Sequence, residues 1–154
     1  MNRLVAVLLA SLLGFSPVEH QGAPQLTLWQ SDLQIRSLTV SEERGSLRAR
    51  VLVVVESGEA IGARVEILLP VGVGIVMLGP SCRAGPDVTG ISDLRARVEC
   101  SLGNLPAGAN RELLIVTTLP PGRVARGFAA VAMSETPDPK PANNFAERVL
   151  PQRD

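Results

Sequence analysis

Leu94-Arg95-Ala96-Arg97-Val98-Glu99-Cys100-Ser101-Leu102-Gly103-Asn104-Leu105-Pro106-Ala107-Gly108 is the stretch on which the fold turns. From Leu94 to Leu102, apolar residues alternate with Arg95, Arg97, Glu99 and Ser101. A period of two sends successive side chains to opposite faces of a β-strand, one packed on a core and one in water. Cys100 is in phase with Leu94, Ala96, Val98 and Leu102, and is therefore expected to point inward. Leu105-Pro106-Ala107-Gly108 then reads as a turn between strands.

The same period recurs on both sides of this stretch. Upstream, Leu47, Ala49, Val51, Val53 and Val55 alternate with Ser46, Arg48, Arg50, Leu52, Val54 and Glu56. Val65, Ile67 and Leu69 do so against Arg64, Glu66 and Leu68 until Pro70 ends the run. Leu33 and Ile35, then Leu38 and Val40 after a change of phase, mark a first strand. Val73 to Leu78, interrupted by Gly72, Gly74 and Gly79, suggests a bent or bulged strand. Downstream come Leu113-Ile115-Thr117, Ala129-Val131-Met133 and a terminal run from Phe145 to Leu150. Glu42–Gly45, Ser57–Glu59 and Pro120–Gly122 separate these runs as turns. Seven or eight short strands without a convincing helix predict an all-β fold, a two-sheet antiparallel β-sandwich forming one domain over 32–150.

The chain has 154 residues, of which 45% are hydrophobic and 19% charged, so it can bury a sizeable core and is not disordered by composition. Fifteen basic side chains balance fifteen acidic ones. That neutrality argues against nucleic acid as a partner, because polyanion binding needs a basic excess. Every basic residue except Lys140 is Arg.

Asn2-Arg3 followed by the apolar run Leu4 to Phe15 reads as a secretory signal peptide over 1–22, cleaved somewhere within 16–23. The run is too short for a membrane-spanning helix, and the mature form is expected to have no transmembrane segment. No Cys lies at the expected cleavage region 16–23, so no lipoprotein anchor is expected. Residues 23–31 read as a linker whose Trp29 is expected to pack against the first strand, and 151–154 as a polar tail. The expected location is secreted or periplasmic. In such an oxidising compartment two cysteines, Cys82 and Cys100, are expected to form a structural disulfide. Seventeen intervening residues do not make a redox C-x-x-C motif, and one histidine, His20, cannot complete a metal shell.

Candidate chemistry is sparse. Asp138, Asn143 and Asn144 offer oxygens to a calcium ion, but one carboxylate makes a weak site, and local backbone hydrogen bonding is the simpler role. Glu42 and Glu43 sit in a turn and Glu66 on a solvent-facing strand position, and nothing in the pattern sets two of them as a catalytic pair flanking one substrate. Without a histidine in the domain, no Ser–His or Cys–His nucleophile can be assembled, and no Gly-rich phosphate loop precedes a helix. No cofactor is expected. The stretch between the cysteines, with Arg83, Asp87, Asp93 and Arg95, is the candidate binding loop, since loops on a rigid sandwich often carry recognition.

Four motifs in order resemble the bacterial DUF11 family, immunoglobulin-like (Ig-like) domains related in style to the CARDB adhesion modules. They are Val51–Gly58, Leu69-Pro70-Val71-Gly72-Val73, Cys100–Gly108, and Ala129, Val131 with Pro137–Asn144. The resemblance spans roughly Asp32 to Leu150 and implies an Ig-like β-sandwich outside the cytoplasm. It departs from the family in two ways: the cysteines are further apart than usual, and a single copy stands where tandem repeats are common. The expected function is a non-enzymatic module with a structural or binding role at the cell envelope. Its expected partner is a protein or polysaccharide there. The alternatives are a periplasmic assembly factor that pairs an edge strand with a client, and a small enzyme or enzyme inhibitor.

Overall fold

The computed structural model describes residues 29–85, 96–119 and 126–150. The expected signal peptide, the first part of the linker and the tail 151–154 lie outside the described residues, as do Asp87, Asp93 and Arg95. Nine strands are described. They are β1 (Asp32–Glu43), β2 (Ser46–Ser57), β3 (Ala60–Leu68), β4 (Ile75–Leu78), β5 (Cys82–Ala84), β6 (Arg97–Leu105), β7 (Asn110–Thr118), β8 (Arg126–Met133) and β9 (Phe145–Leu150). One 3₁₀ turn, Pro141–Asn144, precedes β9.

The strands form two antiparallel sheets, β1-β2-β7-β4 and β5-β6-β3-β8-β9. This is the expected all-β, two-sheet antiparallel sandwich. The inward faces of β2 (Leu47, Ala49, Val51, Val53, Val55), β3 (Ala63, Val65, Ile67), β6 (Val98, Cys100) and β7 (Leu113, Ile115) fill the space between the sheets. Among the described residues Phe128 on β8 is the only aromatic side chain in that core. Burying such alternating aliphatic faces is the main favourable term in folding.

Local chemistry explains the details. Arg44 and Gly45 both have positive φ (49° and 78°), as the tight two-residue turn joining β1 to β2 requires. The phase change in the first strand is a bulge between Ile35 and Ser37, and the glycine-interrupted fourth strand is bulged between Ile75 and Met77. The strand count exceeds the expectation of seven or eight because β5, only three residues long, is too short to show alternation. Trp29 does not pack on the first strand. It is 82% exposed, because the chain joins the sheet edge at Ser31, whose N–H donates to Pro137 O, and Trp29 lies before that point.

Candidate functional site

The cysteines stand directly opposite each other on neighbouring strands, Cys82 on β5 and Cys100 on β6, and form a disulfide. Cys100 is fully buried, in the phase its sequence alternation required. The bridge fastens a three-residue edge strand that, among the described residues, pairs with β6 alone, helped by Ser101 N–H donating to Ser81 O at 2.9 Å.

Around the bridge, the outer face of the five-stranded sheet carries a charged lattice. Glu99 on β6 lies across from Glu66 on β3. Like charges directly opposite each other are destabilising unless neutralised. Two arginines neutralise them: Arg83 donates to Glu99 Oε2 through Nε and Nη2 at 3.3 and 3.0 Å, and Arg97 Nη1 donates to Glu66 Oε2 at 3.1 Å. One register step away, Arg64 on β3 faces Ser101 on β6. Arg64 is exposed and has no acidic partner among the described residues. An open groove of about 530 Å³ runs over this area, lined by Gly62, Arg64, Ser81, Arg83, Glu99 and Ser101 above the bridged pair.

Arg83 is therefore a groove residue on strand β5, not part of a free loop, while Asp87, Asp93 and Arg95 fall outside the described residues. Sequence reading missed Arg64, Ser81 and Ser101. The outward phase of Arg64 and Ser101 was legible, whereas Ser81 belongs to no readable alternation, and the meeting of the three depends on cross-strand register between β3, β6 and the start of β5.

The closing motif works as a clasp at the edge where β1 begins. Asp138 Oδ2 accepts from Leu33 N–H at 3.0 Å and Oδ1 from Lys140 N–H at 2.7 Å, so both carboxylate oxygens serve backbone donors. Asp32, whose side chain is only 4% exposed, accepts from Lys140 Nζ at 2.7 Å and Asn143 Nδ2 at 2.8 Å. The Lys140 and Asn143 hydrogen bonds hold the Asp32 carboxyl below its usual range, and the hydrogen bond to Asp32 raises the Lys140 ammonium above its own. Asn143 Oδ1 and Asn144 Oδ1 accept no protein hydrogen bond. Thr136 closes the other side: its Oγ1 accepts from Ile61 N–H at 3.1 Å and donates to Glu59 O at 2.9 Å.

The remaining carboxylates are spread apart. Glu43 pairs with Arg48 on the four-stranded sheet, while Glu66 pairs with Arg97 on the other. Among the described residues no three His, Cys, Asp or Glu side chains converge as a metal site would need, and no helix is long and apolar enough to cross a membrane. Among the described residues, large apolar side chains reach the surface in two clusters, Ile75, Val76 and Met77 on edge strand β4 and Phe145 and Val149 on edge strand β9, and singly at Trp29 and Ile61.

No family model matches the chain, and no curated protein matches it. Among solved structures, the chitin-binding domain of a chitinase from Pyrococcus furiosus is similar at 12% identity, covering 70% of this chain and 96% of that one, with a TM-score of 0.44. BslA, a bacterial hydrophobin, is similar at 18% identity over 82% of this chain and 98% of that one, with a TM-score of 0.42. A Nocardia farcinica protein described as having an immunoglobulin-like fold is similar at 14% identity over 73% and 96%, with a TM-score of 0.43.

Proposed function

We propose that this chain is an exported, non-enzymatic Ig-like binding module of the DUF11 kind, acting at the cell envelope through the bridged edge of its five-stranded sheet. The observation that carries this reading is the groove over Cys82–Cys100, where a disulfide-fastened edge presents Arg64, without an acidic partner among the described residues, beside Arg83, Glu99 and two hydroxyls. A disulfide between directly paired strands belongs to an oxidising compartment, which supports export by the leader over 1–22. The open, shallow shape suits a surface ligand better than a substrate that must be desolvated for reaction.

The test is co-sedimentation of the oxidised protein with envelopes from its own kind of cell. Retention weakened by Arg64→Ala is expected; a protein that stays wholly in the supernatant contradicts the reading. A second reading, an assembly factor adding a client strand to its sheet, is favoured by β4, a four-residue edge strand with exposed Ile75, Val76 and Met77. Under that reading Val76→Lys abolishes capture of one stoichiometric client while Arg64→Ala leaves it intact.

A further inference from the structure

We infer that the groove beside the disulfide takes an acidic sugar unit, a ring carrying both a carboxylate and free hydroxyls, as found in uronic-acid polysaccharides. This assignment rests on the envelope-binding reading above and names the ligand class of the same site.

The donor and acceptor inventory of the groove dictates the ligand. The other arginines there are spoken for, since Arg83 and Arg97 neutralise the facing Glu99 and Glu66. Among the described residues Arg64 is left with a planar guanidinium in solvent and no acid to meet, and such a group recognises a carboxylate through two parallel hydrogen bonds. Both Arg83 bonds go to Glu99 Oε2, so Oε1 accepts no hydrogen bond among the described residues. An ionised carboxylate oxygen accepts only, so the ligand must bring a donor to it. The hydroxyls of Ser81 and Ser101 flank these two groups and can give or take a hydrogen bond.

One ligand must therefore present an anionic oxygen to Arg64 and a hydroxyl donor to Glu99. A neutral sugar supplies the second but leaves the guanidinium unmatched. A sulfate or phosphate ester supplies the first but brings more negative charge towards Glu99. A uronic acid supplies both within one ring. The volume, about 530 Å³, lies within the range of roughly 300–1,000 Å³ usual for small-ligand sites. A groove open to solvent lets a polymer continue beyond the ring that is held.

The experiment is affinity electrophoresis of the oxidised, exported protein through gels holding polygalacturonate, its fully methyl-esterified form, or dextran sulfate. Retardation by polygalacturonate alone is expected, because esterification removes the charge that Arg64 reads. Arg64→Ala is expected to weaken binding roughly tenfold or more, the scale of a lost charge-assisted hydrogen bond. Arg64→Lys keeps the charge but not the fork and is expected to restore binding only in part. Glu99→Gln is expected to admit dextran sulfate. Arg36→Ala, on the other sheet where Arg36 pairs with Glu56, is expected to change nothing. Equal retardation by the methyl ester, or an Arg64→Ala variant that binds like the parent, overturns the assignment. Retention on envelopes without retardation by polygalacturonate overturns the acidic-sugar assignment and leaves the envelope reading standing. Retardation by polygalacturonate without retention on envelopes does the reverse.

Discussion

Breaking the bridge is the perturbation whose size can be worked out most fully. Cys82 and Cys100 are 18 residues apart, so the covalent link removes the closure entropy of a loop of that length from the unfolded chain. On the chain-entropy relation this amounts to about 3 kcal/mol at 25 °C. Reducing the native protein removes only that contribution. The double variant Cys82→Ala/Cys100→Ala also leaves a void at the fully buried Cys100 position, adding about 1 kcal/mol. Alanine suits this position better than serine, since a hydroxyl there would be buried without a partner. Guanidinium unfolding and thermal melting of the three forms are the assays. The expected order is oxidised, reduced, double variant, with Tm falling by about 10–15 °C on reduction. The m-value is expected to rise on reduction, because the link compacts the unfolded ensemble and its loss exposes more surface. Strand β5 is held only by β6 and the bridge, so the Ser101 amide, which donates to Ser81 O, is expected to lose exchange protection first. A loss below about 1 kcal/mol with an unchanged m-value would refute the reasoning.

Phe128→Ala removes the one aromatic side chain of the core and is expected to cost about 3–5 kcal/mol, measured as a shift of the denaturant midpoint at constant m; a cost under 1 kcal/mol would show that the sheets do not close on it. Thr136→Val keeps the shape but leaves Ile61 N–H and Glu59 C=O without their partner, at an expected cost of about 1–3 kcal/mol by the same measurement. Asp32 and Lys140 make stability pH-dependent at both ends. Asp32 has a lowered folded-state pKa, so its contribution is present above the ordinary carboxyl value of about 3.9 and is lost as pH falls through the folded value. Lys140 has a raised one, so its contribution holds below about 10.4 and is lost as pH rises through the folded value. Asp32→Asn is expected to flatten both limbs of the urea midpoint against pH, and identical profiles for parent and variant would remove the clasp from the account.

What the sequence made legible follows the period of its side chains. The alternations in β2, β3, β6 and β7 gave their inward faces, including that of Cys100, and even the bulge at Ile35 shows as a slip of phase. A three-residue strand has no period to read, so β5 was invisible although it carries Cys82 and Arg83. Trp29 was misread because large aromatic residues usually find cover, and nothing in the sequence shows that the chain joins the sheet edge only at Ser31. The Asp32–Lys140 contact joins residues 108 apart, beyond any local pattern. The groove is hidden for the same reason. Arg64, Ser81 and Ser101 belong to three separate segments, and only the register of β3 against β6, with the bridged start of β5 beside them, assembles a site.

That assembled edge is the central claim, and residue-resolved NMR of the oxidised protein titrated with soluble envelope polysaccharide tests it most directly. The account predicts shift changes concentrated at Gly62–Arg64, Ser81–Arg83 and Glu99–Ser101, reduced in Arg64→Ala. Changes centred on Ile75–Leu78 or on Phe145–Val149, with the bridged groove silent, would contradict it.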